Sequence, residues 1–518
     1  MAPNPPVTAA GTPMVPGMPL REFETLETEY DYVLTDESGV LPPELRGTLY
    51  RNGMGRWESG GSPVGHIFDG DGMLSVFVFD GQRVRFRNRY VRTTHYLRGQ
   101  LTGGPAGRGT GTLRGDGGFR ANAFRWPLSN QANTNVVWHA GELLALWEGG
   151  KPHAIDPDTL ETKGIHDFAR RLRGFGSFSA HPKIDARTGE LFNFGTTFLP
   201  FPGIAAYRVD PGGALHTLAR WRTPVPRLNH DVGLTGRYLV FVVPPMTVSA
   251  VGMLPVFLGL RPLGSALGFR PEIGTEIVLV PRDGGRPTHL HTDALLHFHL
   301  TNCYDDGTDT VIELVRYTAD FDTLWDHFQD KFRTAPGQPA FGGPLTRLRV
   351  TRTGRVTRED LTDRITEFPQ IDARMTGHRH RYSYSVDVAH HRTITGGSGQ
   401  DAGHEAVPSG ITVLDHERGA ESTYEVPNYG SVCEAVFAPR SPGAPEGDGW
   451  LLTVEYLRDE HRSRLLVLDA RYPDRGPVYV GGLRHHLPMG LHGSINPRVA
   501  GWRSPAVPPP RTRSPARV

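Results

Sequence analysis

An all-β fold is what this sequence predicts, and three observations predict it. Short runs rich in β-branched and aromatic residues close repeatedly on Asp and Gly, as in LSVFVFDGQ, LLALWEGG, EIVLVPRDGG, GITVLDHERGA and RLLVLDARYPD. Runs of this length ending in turn formers read as hairpins, not helices. Gly 63 and Pro 44 supply the many tight turns that such hairpins need. Four histidines, His181, His230, His299 and His492, stand far apart in the phrases SAHPKID, LNHDVGLT, FHLTN and GLHGS. If they serve one metal, distant segments must converge on a common axis, and a β-propeller provides one. The hairpins are irregularly spaced and share no fixed repeat phrase, so WD40 and Kelch patterns are not supported.

Along the chain, residues 1–18 and 501–518 are Pro-rich and poor in apolar residues, and they are expected to be disordered tails around one propeller domain spanning 19–500. The first residues carry neither a basic leader nor a continuous apolar run, which predicts a cytoplasmic protein. One segment interrupts the hairpins, VPPMTVSAVGMLPVFLGLRPLGSALGFRP at 243–271. Pro255, Arg261 and Pro262 break its apolar runs, leaving it short of the ~20 residues a spanning helix needs. Two readings stay open for it, a helical cap over the propeller or a peripheral membrane surface that dips into the lipid interface.

Composition removes several function classes. Lys plus Arg 56 against Asp plus Glu 55 leaves a net charge of +1, with no basic excess for nucleic acid. Only Cys303 and Cys433 occur, too few for a disulfide framework or a thiolate metal cluster. Histidine is the abundant donor, at 23 residues, so local context must separate ligands from the rest. Four neutral imidazoles alone would tolerate Fe(II), Zn(II), Ni(II) or Cu(II). Glu148 in ALWEGG, Glu367 in TEFPQID and Glu434 in CEAVFAPR sit among apolar neighbours, where a buried carboxylate must be paired.

Together with LRGTLYRNG and FDGDGML, these phrases resemble the carotenoid cleavage oxygenase family, which includes apocarotenoid, lignostilbene and retinoid-isomerising members. The resemblance spans roughly residues 20 to 497 and implies a seven-bladed β-propeller with a loop and helical cap over the metal. It implies Fe(II) on His181, His230, His299 and His492. Phe298, His299 and Asn302 fit the family's phrase of Phe, His, two residues and Asn, which selects His299 over His291 and His297. The Gly after His492 selects it over His485 and His486. By the family's pairing, Glu148 orients His230, Glu367 orients His299 and Glu434 orients His492, while His181 has no carboxylate.

The same resemblance places Thr134 beside the open coordination position, and Trp147 and Phe298 on the substrate wall. Read by themselves, Thr134 equally suits an ordinary strand position and the two aromatics an ordinary core. Lignostilbene-cleaving relatives carry Lys just before the first glutamate, where this chain has Trp147, so a polyene is expected over a hydroxystilbene. LPMGLHGS departs from the family's usual aromatic-Gly-Phe-His-Gly phrase, which puts the pocket near His492 in doubt. The implied activity is O₂-dependent cleavage of a conjugated C=C bond in a carotenoid or apocarotenoid. The alternatives are stilbene cleavage, or a metal-stabilised propeller that binds an apolar ligand without turnover.

Overall fold

The strand Tyr238–Val243 shows how the chain builds its core. Its sequence, YLVFVV, does not alternate, and every side chain after Tyr238 is buried. Leu239, Phe241 and Val243 pack on Phe192, Phe194 and Ile204, whereas Val240 and Val242 pack on Ile312, Leu314 and Leu348. A strand sends successive side chains to opposite faces, so a continuous apolar run needs a cover on both. Here the sheets before and after it in the sequence supply the two covers.

In this computed structural model the described residues are 21–501, apart from 60–61, 104–106, 115–118, 125–128, 175, 198–200, 331–340, 389–390, 395–402, 407–409 and 428–429. The tails expected at 1–18 and 501–518 lie outside the described residues except for Gly501. Seven sheets of four to six antiparallel strands form the blades of a propeller. Their edge strands nearest the axis are Gly490–Asn496 in the first blade, then Asn135–His139, Lys183–Ile184, Gly233–Leu234, Leu300–Asp306, Thr366–Ile371 and Ser431–Val432 in the second to seventh.

The two ends of the chain close the ring. Gly490–Asn496 pairs with Arg46–Arg56, so the C-terminal strand completes the first blade. Thr35–Gly39 pairs with Pro477–Gly482, so an N-terminal strand completes the seventh. Between these blades Phe77, Phe79, Phe86, Leu452, Leu465, Val467 and Tyr479 form one buried cluster, and each such side chain contributes about 1.5–3 kcal/mol by its burial. Both cysteines are buried and unpaired with each other.

Residues 243–271 leave the blade pattern. A ribbon of Met246–Val248 with Leu267–Phe269 carries the helix Ala250–Phe257, which Ser249 caps by accepting from the Gly252 N–H. Phe269 stacks at 6.1 Å on Phe321, the first residue of the helix Phe321–Asp330. This cap, the second helix and the axial residues Phe298 and Tyr317 share one apolar cluster. No helix among the described residues is long and apolar enough to cross a membrane.

Candidate metal centre

Each blade lends the axis one residue of the constellation. His492 lies within the edge strand of the first blade, and Glu148 just beyond Glu142–Leu146 of the second. His181, His230 and His299 lie one to three residues before the edge strands of the third, fourth and fifth blades; Glu367 lies in that of the sixth, and Glu434 follows that of the seventh. The edge strands bring these side chains together because the blades converge on the axis, whether a residue lies before, within or after its strand.

The ring nitrogens of His181, His230, His299 and His492 offer ligand atoms that all lie within 4.8 Å of one another. His230 Nε2 and His299 Nε2 are 3.2 Å apart. On their far sides the rings face carboxylates: His299 Nδ1 lies 2.6 Å from Glu367 Oε2, His492 Nδ1 lies 2.8 Å from Glu434 Oε1, and His230 Nδ1 contacts Glu148 Oε1. An Nδ1–H given to a carboxylate leaves Nε2 as a bare lone pair. Two such lone pairs 3.2 Å apart repel unless a cation lies between them. His181 has no carboxylate, and its Nε2 is buried with no hydrogen-bond partner among the described residues. The four residues therefore fit a metal ion, and the all-imidazole donor set suits a divalent first-row transition metal.

Burial and the carboxylates act on these imidazoles in opposite directions. Burial, with His492 and His299 nearby, holds His181 well below the usual imidazole range, and burial does the same to His230. Burial also opposes charge on His299, but the Glu367 carboxylate outweighs it and lifts that imidazole above its ordinary value. Burial alone would raise Glu367 and Glu434, yet His299 and His492 hold both carboxyls below the ordinary range.

The carboxylates differ in their surroundings. The Glu367 and Glu434 side chains are each only 1 % exposed, whereas that of Glu148 is 39 % exposed. All three glutamates face a histidine, as the family's pairing implies, but the WEGG turn leaves the Glu148 side chain at the open side. Gly149 is needed in that turn, because a Cβ there would lie 2.6 Å from the Trp147 ring. Trp147 itself is half-buried. Thr134 is buried, and its N–H donates to the Leu146 carbonyl at 3.1 Å, which lays it alongside the Trp147–Glu148 turn.

Phe298 stands edge-on to His230 at 5.3 Å and continues outward to Phe328 at 5.9 Å and from there to Phe68 at 5.7 Å. The rival histidines are engaged elsewhere: His297 Nε2 lies 2.7 Å from the Val242 carbonyl, and His485 and His486 pair with the His486 and Glu24 carbonyls. Sequence reasoning missed three neighbours of the centre. Phe368 lies 5.5 Å from His299 and 5.4 Å from His492, carried there by a bulge in which its φ is +51°. Gln370 Nε2 donates to Glu434 Oε1 at 2.7 Å, and the Tyr317 hydroxyl donates to Glu367 Oε1 at 2.9 Å. The Pro that follows Phe368 was a usable signal for the bulge; Tyr317 carried none.

The apolar segment at 243–271 is half of a larger surface. Val251, Leu254 and Leu260 are exposed, and so are Phe119 and Phe124 of a second segment. The Phe124 N–H donates to the Phe257 carbonyl, and Arg108, itself buried, donates to the carbonyls of Asn122 and Val256 and so ties the two segments together. Exposed Arg120 and Arg261 flank this surface.

Comparison with known proteins agrees with this architecture. The profile of the retinal pigment epithelial membrane protein family matches residues 23–495. Apocarotenoid-15,15'-oxygenase of Synechocystis sp. is 34 % identical over 487 residues, covering 92 % of this chain and 95 % of that one. Isoeugenol monooxygenase of Pseudomonas nitroreducens is 30 % identical over 495 residues, covering 91 % and 96 %. The crystal structure of cobalt-substituted Synechocystis ACO superposes with a TM-score of 0.83 at 32 % identity, covering 92 % of this chain and 98 % of that one. The seven blades and the family match over most of the chain make this protein an oxygenase of the carotenoid cleavage oxygenase family, to which retinal pigment epithelial membrane protein also belongs.

Proposed function

We propose that the protein is a non-haem Fe(II) dioxygenase that splits a conjugated C=C bond of a carotenoid or apocarotenoid, with one atom of O₂ entering each of two carbonyl products. The observation that carries this reading is the convergence of four imidazoles, three of them oriented by carboxylates. Held by His181, His230, His299 and His492, iron would supply the O₂ chemistry that side chains lack.

The chain's own residues orient and exclude. Glu367 and Glu434 fix the planes and tautomers of His299 and His492. Phe298 and Phe368 stand against the imidazoles and keep that side dry, and Phe328 extends the apolar wall that a long polyene would follow. Thr134, beside the Trp147–Glu148 turn, is assigned to the open side of the metal. The net reaction neither releases nor consumes a proton, and the task assigned to the protein is positioning the double bond.

Trp147 favours a polyene, since an indole offers an apolar face and one N–H but no cation for a phenolate. The similarity to an isoeugenol monooxygenase supports a second reading, cleavage of an alkenylphenol or stilbene. Mass spectrometry of products from iron-loaded protein given apocarotenoids and hydroxystilbenes separates them: kcat/KM should favour the polyene, and Trp147→Lys should move the ratio toward the stilbene. Preference for the stilbene by the native protein contradicts the assignment, and no product from either class would leave a binding protein.

We read the apolar surface at 119–124 and 243–271 as the side from which a lipophilic substrate arrives, with a cytoplasmic protein resting peripherally on a bilayer. Leu254→Asp should weaken liposome association without changing metal content. Unchanged partitioning rules this out.

A further inference from the structure

The Glu367 side chain is buried, and one of its two oxygens accepts from a single hydroxyl. Oε2 serves His299 Nδ1 and the Phe368 N–H. Oε1 accepts from the Tyr317 hydroxyl at 2.9 Å, and Tyr317 is 6 % exposed. The other two carboxylates are stabilised differently. Glu434 has Gln370 Nε2 and the Gly493 N–H besides His492, and Glu148 is open to solvent.

The backbone places Tyr317 deliberately. Its N–H donates to the Leu296 carbonyl at 2.8 Å, and the Val315 N–H donates to the His299 carbonyl at 3.1 Å, so the chain beyond Asp309–Val315 runs alongside residues 296–299. Gly343 exchanges two backbone hydrogen bonds with Thr366, next to Glu367. A Cβ on Gly343 would lie 1.8 Å from the Arg316 carbonyl oxygen, so only glycine lets 316–317 approach the strand that carries the glutamate. The Tyr317 ring meets Phe298 edge-on at 5.2 Å, and Phe298 meets His230.

We propose that Tyr317 is a positioning residue of the metal centre: its hydroxyl fixes the Glu367 carboxylate, and through it the plane and tautomer of His299, while its ring seats Phe298 on the substrate wall. This rests on reading the four histidines as a metal site. The two functions of the side chain are separable, because Tyr317→Phe removes the oxygen and keeps the ring.

The test uses Co(II) as a probe of the purified full chain, so it does not depend on knowing the substrate. Tyr317→Phe should weaken Co(II) binding roughly 3- to 10-fold, less than the 10- to 100-fold typical of a group bonded directly to a ligand, and should shift the Co(II) d–d absorption. With a turned-over substrate, kcat should fall and KM stay unchanged, whereas Phe298→Ala should raise KM. In a Glu367→Gln background the Tyr317→Phe effect should largely vanish, because both changes act on one chain of contacts. Tyr384→Phe removes another buried hydroxyl, one with no hydrogen-bond partner among the described residues, and should leave affinity and spectrum alone. If wild-type protein binds no Co(II), the metal-site reading itself fails. If it binds and Tyr317→Phe matches it in affinity and spectrum, or the two changes add independently, the role given to Tyr317 is overturned.

Discussion

Two groups of histidine and glutamate gather inside this propeller with similar spacing and opposite wiring. On the axis, Nδ1 of His230, His299 and His492 faces carboxylate oxygens, so each ring donates outward and turns a lone pair inward. Between the fifth and sixth blades, Glu313, His380 and His416 are just as close together. There His380 Nδ1 accepts from the Asn302 amide at 3.0 Å, and His416 Nδ1 accepts from the Arg347 guanidinium at 3.2 Å. Asn302 cannot be turned round, because its Nδ2 also donates to the His378 carbonyl and its Oδ1 accepts from the Gly377 N–H.

A ring that accepts at Nδ1 carries its proton on Nε2. His416 Nε2–H then donates to Ser383 Oγ at 2.9 Å, and His380 Nε2–H faces Glu313 Oε2 obliquely at 3.2 Å. Arg347 holds Glu313 Oε1 at 2.7 Å. Burial alone would raise the Glu313 carboxyl, but His380, His416 and Arg347 pull it down to about 2. The second cluster is thus a self-neutralised network that joins two blades, and the Nδ1 lone pairs of both its imidazoles are already engaged. Proximity gathers candidate ligands, and the partner of the other ring nitrogen decides whether they can ligate.

The largest effect that could break this contrast is on metal content. His299→Ala should abolish stoichiometric Co(II) or Fe(II) binding, and His380→Ala should leave it intact; the reverse pattern in metal analysis of the purified variants would undo the comparison. Next in size is stability. Glu313→Gln should cost about 2–4 kcal/mol in denaturant unfolding, because it breaks a buried ion pair whose arginine is partly exposed, and it should not change metal affinity. A loss of metal with no loss of stability would show that the network does serve a cation.

Smaller differences should appear within the axial centre itself. Glu367→Gln should lower metal affinity about 10- to 100-fold, whereas Glu148→Gln should lower it less, since water can reach the half-exposed position. Glu190→Gln, in a half-buried pair with Arg208 and Arg282, should be nearly silent. Equal losses at Glu148 and Glu367, read by competition with a chelator, would mean that solvent exposure is irrelevant to how these carboxylates act.

The same contrast explains what the sequence made legible. His299 could be chosen over His297 because its phrase includes Phe298 and Asn302, and the structure turns His297 toward the Val242 carbonyl. The hairpin phrases marked the strands, because both faces of a blade's inner strands are covered and the apolar runs are continuous. Tyr317 and Gln370 were not legible, since they reach the carboxylates only through the packing of one blade on another. Phe119 and Phe124 were missed because their segment looks unremarkable until Arg108 ties it to the apolar cap. The pairing of Glu148 with His230 was legible from its phrase, but its greater exposure than Glu367 and Glu434 was not. Nothing local distinguishes Glu313, His380 and His416 from ligands, because their tautomers are set by Asn302 and Arg347 on other strands.

The most direct test of the central claim is a crystal structure of iron-loaded protein with anomalous difference density collected at the iron edge. A single strong peak should lie on the propeller axis, within bonding distance of Nε2 of His181, His230, His299 and His492, with nothing above noise between Glu313, His380 and His416. A peak in the second cluster, or iron held through His297 or through an Nδ1 now facing a carboxylate, would contradict it.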